Sequence, residues 1–282
     1  MRNALTLVSC LLGLLLFVGC SKHGTAREIF EQGRQKYDKQ DWNGAMADFT
    51  LALQLETNFA IYADRAMAEA KLNMLDNAIL DYHHAIELNS TNSTLYINCA
   101  VLEDKRNNLD AGIADYNKAI EVNPMDDLAY CDRGIARRKK GDWDASVADS
   151  SKAIELNPKY AQAYNERGWT EFLQNNYDAA IADATQSIQF SPTNCYAYGT
   201  RGWARFGKND FVGAAEDCKK AIDLSNPNSS EAYSDQGMLD FISGNYEKAI
   251  TDWEKVVVQD ASLKREFQPW IEKAKMKLQS RK

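Results

Sequence analysis

An aspartate recurs at Asp48, Asp81, Asp115, Asp149, Asp183, Asp217 and Asp252, with gaps of 33, 34, 34, 34, 34 and 35 residues. So even a period is the signature of a stacked array, in which each copy hides its apolar face only against its neighbours. Within each copy the apolar and small residues follow helical spacing twice, around a short polar break such as Gly141-Asp142 or Gly244-Asn245. Each copy therefore reads as a helical hairpin. Such an array lengthens along one axis, so 282 residues do not require two globular cores.

The fourth copy runs Leu128-Ala129-Tyr130, Arg133-Gly134, Gly141-Asp142-Trp143, Ser146-Val147 and Ala153-Ile154-Glu155-Leu156-Asn157-Pro158. This pattern resembles the tetratricopeptide repeat family. In the family's frame the fourth place is Tyr62, Tyr96, Tyr130, Tyr164, Tyr198 and Tyr233, and the eighth is Gly33, Ala66, Ala100, Gly134, Gly168, Gly202 and Gly237. Small residues at the eighth place let the two helices of a hairpin approach closely. Pro124, Pro158, Pro192 and Pro227 close four copies, since proline lacks the amide that a continuing helix needs.

The resemblance implies an all-α chain, a right-handed α-solenoid of about seven hairpins. They would occupy residues 26–58, 59–92, 93–126, 127–160, 161–194, 195–229 and 230–261, with a C-terminal capping helix over 262–282 opened by Pro269. The periodic aspartates fall at place twenty-three, and arginine recurs at place seven as Arg65, Arg133, Arg167 and Arg201. Asp115, Asp149, Asp183 and Asp217 with Arg133, Arg167 and Arg201 are expected to form a structural ladder of ion pairs, not a catalytic constellation.

In this family the first helices line the concave face, through places two, five, nine, twelve and thirteen among others. Carried to this chain, the resemblance implies a partner-binding groove of Asn165, Trp169, Phe172, Trp203, Phe206, Met238 and Phe241. Large aromatics anchor partners well, yet rings at helical spacing also serve as core, and the two uses stand open. Some relatives clamp a carboxylate tail with Lys, Asn and Arg on successive first helices. The fifth places here, Phe30, Ala63, Ile97, Cys131, Asn165, Gly199 and Ser234, lack that set. Arg34, Lys105, Arg138 and Lys139 offer scattered attraction for acidic partners.

The chain holds no Gly-rich phosphate loop, His-Glu-x-x-His, Gly-x-Ser-x-Gly or Cys-x-x-Cys. No enzyme activity, cofactor or metal is expected. His83 and His84 are adjacent and diverge around one helix, and Cys99 with Cys131 is the one cysteine pair placed to consider for a bridge.

Arg2 is followed by an apolar run from Ala4 to Val18 and by Val18-Gly19-Cys20. The run is shorter than the roughly 20 residues that span a bilayer, so it reads as an export signal. Its ending resembles the bacterial lipobox, which implies a signal peptide over 1–19, a lipid on Cys20 and a short tether over 20–25. A net charge of −7, becoming −8 without residues 1–19, does not suit nucleic acid or an anionic lipid surface. The expected protein is therefore a lipid-anchored scaffold of the bacterial cell envelope. It would face the periplasm, with the outer membrane favoured over the inner, and bind a protein or peptide partner in its concave groove. The alternative is a glycan- or peptidoglycan-binding protein, or one associated with a cell-wall enzyme, that stacks sugars on the Trp and Phe stripe.

Overall fold

The computed structural model describes residues 25–280. Signal peptide 1–19, Cys20 and most of the tether lie outside the described residues. Fifteen α-helices and one 3-10 turn are described, with no strand among the described residues. They run as α1 (Ala26–Asp38), α2 (Trp42–Leu55), α3 (Phe59–Lys71), α4 (Leu75–Leu88), α5 (Ser93–Lys105), α6 (Leu109–Val122), α7 (Asp127–Lys140) and α8 (Trp143–Leu156). There follow α9 (Ala161–Leu173), α10 (Tyr177–Phe190), α11 (Cys195–Gly207), α12 (Phe211–Leu224), α13 (Ser230–Ile242), α14 (Tyr246–Gln259), a 3-10 turn (Ala261–Leu263) and α15 (Lys264–Gln279).

Local chemistry explains the hairpins. The residue at place fifteen is left-handed in every copy: Gln40, Asn73, Asn107, Gly141, Asn175, Asn209 and Gly244 all have φ between 60° and 90°. Glycine and asparagine tolerate that conformation, and it reverses the chain within two residues. Asp41 and Asp210 then accept from the amides of Gly44 and Gly213 at 3.0 Å, capping the second helices of their hairpins. Thr25 and Glu28 form a reciprocal capping box at the start of α1.

The described residues divide into two compact units, one up to Leu102 and one from Glu103 onward. In the first, Ile29, Phe49 and Ile61 are buried between α1, α2 and α3, while Tyr82, Leu95 and Cys99 pack with Ala66 and Ala78. In the second, the paired helices meet through small residues. A side chain on Gly168 would lie 3.2 Å from the carbonyl oxygen of Ala180, so α9 and α10 touch nearly backbone to backbone. First helices α7, α9, α11 and α13 lie side by side and form one face of this unit, called here its inner face.

Each arginine of the ladder binds inside its own hairpin. Arg133 grips Asp149 through Nε at 2.9 Å and Nη2 at 2.6 Å, and Arg167–Asp183 and Arg201–Asp217 repeat that bidentate geometry. The remaining Nη1 reaches back one hairpin, to Asn117, Ser151 and Thr185 respectively. The fourth-place tyrosines complete the motif, since Arg133, Arg167 and Arg201 lie 5.4–5.7 Å from the ring centres of Tyr130, Tyr164 and Tyr198. Arg65 treats Asp81 and Tyr62 in the first unit the same way. Asp115 has no arginine at its own place seven, where the sequence holds Cys99.

Candidate functional site: the inner face of the second unit

The aromatic stripe is largely covered, and what covers it is the chain's own α15. Trp203 is 1% exposed, and Phe172, Phe206, Met238 and Phe241 are also buried. Phe267, Trp270, Ile271 and Ala274 fall at helical spacing on one face of α15. Trp270 lies 5.2 Å from Trp203, 5.7 Å from Phe206 and 6.4 Å from Phe172, stacked nearly parallel on the last, while Phe267 meets Trp203 edge-on at 5.9 Å. The sequence alone placed residues 262–282 at the open end of the array. In the structure α15 packs on α14 and also returns across hairpins four to six.

Polar contacts fix this return. Arg138 on α7 forms a buried ion pair with Glu266, whose other oxygen accepts from Trp169 Nε1 at 2.8 Å. Lys139 Nζ reaches Asp260 Oδ2 at 3.1 Å. Arg265 donates to the carbonyl of Lys140 at 2.8 Å and lies over Trp143. That contact places a cation at the negative end of α7, and it needs Gly141, because any side chain there would strike the guanidinium. Arg138 and Lys139, read from sequence as attraction for acidic partners, are thus engaged within the chain.

Beside the stripe a cavity of about 800 Å³ remains between α7, α9, α11, α13 and the returning segment. Asn165 lies in its wall, buried, with its amide oxygen accepting from Thr200 at 2.8 Å. Trp169 is only partly covered and also faces the cavity. Acids dominate the rest of the lining: Glu166, Glu231, Asp235, Asp260 and Glu266 against Arg138 and Lys139. Asp235 is 4% exposed and fits because Gly199 opposite lacks a side chain, whose Cβ would stand 3.0 Å from Oδ2. Burial holds the Asp235 carboxyl well above the usual carboxylate range. Glu166 is raised for the same reason, against the pull of Arg138, 3.5 Å away.

Asp132, on α7, is pushed up to about 7 by burial first and then by Glu166, Asp104 and Asp126. A raised carboxyl favours the folded state fully below its unfolded pKa of about 4, and that contribution is lost as pH rises toward the folded value. Asp132→Asn is therefore expected to unfold at higher urea concentration than wild type at pH 8 and at the same concentration near pH 4. Equal midpoints at both pH values would remove Asp132 as a source of alkaline instability.

Of the residues proposed for a groove, the structure brings Trp169, Phe172, Trp203, Phe206, Met238 and Phe241 into one cluster with α15. It sets Asn165 and the open edge of Trp169 in the cavity. Sequence reasoning missed Glu166, Asp235 and Glu266. A signal existed: place six is acidic in Asp132, Glu166 and Asp235, but these lay outside the places used to locate the groove. Cys99, Cys131, Cys195 and Cys218 are free thiols. No described helix is long and apolar enough to cross a membrane.

Residues 131–194 match the tetratricopeptide repeat family model. No curated protein matches the chain in sequence. Among solved structures, a tetratricopeptide repeat protein from Parabacteroides merdae is 21% identical at a TM-score of 0.73, covering 88% of this chain and 98% of that one. PilW, a type IV pilus biogenesis factor, is 18% identical at 0.63, covering 73% and 96%. YrrB, described as having an unusual peptide-binding site, is 21% identical at 0.50, covering 63% and 92%. With a family match over residues 131–194 and consecutive helical hairpins among the described residues, this chain has the fold of the tetratricopeptide repeat proteins.

Proposed function

We propose that this protein is a non-enzymatic docking scaffold of the bacterial cell envelope, lipid-anchored through Cys20 and facing the periplasm from the outer membrane. It holds a basic segment of a protein partner on the inner face of its second unit. The observation that carries this reading is the cavity beside α9, α11 and α13. Its cations are committed to Glu266, Glu166 and Asp260, which leaves Glu231 and Asp235 without a positive counterpart. A lysine or arginine entering there would meet a buried acceptor in Asp235 and a partly buried one in Glu231, and a charge-assisted hydrogen bond is strong in a low-dielectric wall. Asn165 and the edge of Trp169 supply an adjacent polar and aromatic surface. The absence of nucleophile and phosphate-loop motifs from the sequence agrees with binding as the activity, and the net charge of −7 favours a basic partner. Sugar stacking would need open ring faces, and α15 covers most of the stripe.

The test uses the full chain against dodecapeptides graded from acidic to basic. Basic peptides should bind best and weaken with added salt, and the double variant Glu231→Gln with Asp235→Asn should lose about tenfold in affinity, equivalent to about 1.4 kcal/mol. Preference for acidic peptides, or unchanged binding by the variant, would overturn the reading. The anchor is checked in the same material by fatty-acid labelling in cells, which Cys20→Ser should abolish.

A further inference from the structure

The segment that fills the inner face shows what that face accepts. α15 presents Phe267, Trp270, Ile271 and Ala274 to the aromatic groove, yet it carries five basic residues against two acidic ones, a net of +3 on a chain of net −7. Two of these cations are used in the docking: Arg265 binds the carbonyl of Lys140, and Lys273 lies 4.7 Å from the centre of Trp270 and 5.8 and 5.9 Å from Phe206 and Phe241 at the groove edge. The bound element is therefore a basic amphipathic helix on a face lined with rings, and its one ion pair to that face runs from its acid Glu266 to Arg138.

Two features make it exchangeable. Pro269 lies inside α15 and cannot supply the amide that would bond the carbonyl of Arg265, so the helix depends on its dock for order. A helix tethered by a three-residue 3-10 turn can leave by local opening without the hairpins unfolding.

We propose that the groove under α15 is a docking site for a basic amphipathic helix of a protein partner, and that α15 is a resident stand-in which the partner displaces. The partner helix carries large apolar residues three and four apart, an acid one position before the first of them to meet Arg138, and cations on its flanks. The inference rests on the binding reading above and adds to it the form of the ligand and the segment that controls access.

The probe is a fluorescently labelled synthetic peptide with this chain's own residues 261–280, added to the full chain. In wild type the tethered copy competes at high effective concentration and binding is weak. Trp270→Ala, which weakens the resident helix, should bind the peptide about tenfold tighter than wild type does. Glu266→Gln should shift binding in the same direction and serves as the deciding variant if Trp270→Ala loses its helical circular dichroism. A scrambled peptide of the same composition should not bind. No gain in a folded variant, or equal capture of the scrambled peptide, overturns the proposal. Basic dodecapeptides are titrated on the same variants: their binding retained while helix capture fails sinks the docking proposal alone, and loss of both sinks the binding reading as well.

Discussion

Trp203→Ala is expected to lower the unfolding free energy by about 3–5 kcal/mol, the range for truncating a large aromatic in a packed core. The indole is 1% exposed, and its ring centre lies 5.2–6.1 Å from those of Trp169, Phe172, Trp253, Phe267 and Trp270. Those five neighbours sit on α9, α14 and α15, so the cavity left by truncation is walled by rigid rings from separate elements. Such walls collapse poorly, which places the cost toward the upper end of the range. Denaturant unfolding followed by far-ultraviolet circular dichroism measures it, with Met276→Ala as a comparison because Met276 is exposed on α15. That control should stay within about 0.5 kcal/mol of wild type. A loss below about 1 kcal/mol for Trp203→Ala would show that the stripe is not core.

Arg138→Met should also cost about 3–5 kcal/mol at pH 8, the magnitude for removing one partner of a buried ion pair. Methionine keeps most of the volume and removes the charge, stranding Glu266 and Glu166 against each other. Glu166, already raised by burial, rises further when its cation is gone. A carboxyl raised in the folded state stabilises it below the unfolded pKa and loses that contribution as pH climbs through the folded value. The deficit against wild type should therefore shrink on moving from pH 8 to pH 5. Adding Glu266→Gln and Glu166→Gln to Arg138→Met should recover most of the loss, because nothing charged is then left without a partner. A deficit that does not change with pH would place the effect in lost packing of the arginine stem.

The hairpins were legible in the sequence because their determinants are local and repeated. Arginine and glycine three and four residues after a tyrosine, with aspartate sixteen residues after the arginine, fall on facing sides of two helices wherever they recur. The function of the tyrosine was legible in principle and missed, since it stands three residues before the arginine on one helix and its ring lies under the guanidinium. The seven groove positions were legible as a stripe, yet their covering was not. Phe267, Trp270 and Ile271 already spelled an apolar face that needed burial, but no repeat says which surface receives a segment that follows the array. The acids of the cavity were hidden for a different reason, because their meaning depends on which nearby cations are already paired, a property of the tertiary structure.

Arrays held together only by adjacent copies open piece by piece, each copy melting once its neighbour has gone. The return of α15 breaks that rule in the second unit, since Arg138 and Glu266 are 128 residues apart and Trp169 and Glu266 are 97 apart. While α15 is docked, hairpins four to seven are thereby joined at both ends of their run, and displacing α15 returns them to an open row. Their unfolding should therefore be sharper with α15 docked than with it displaced, because a contact that closes so long a loop is made or lost as one event.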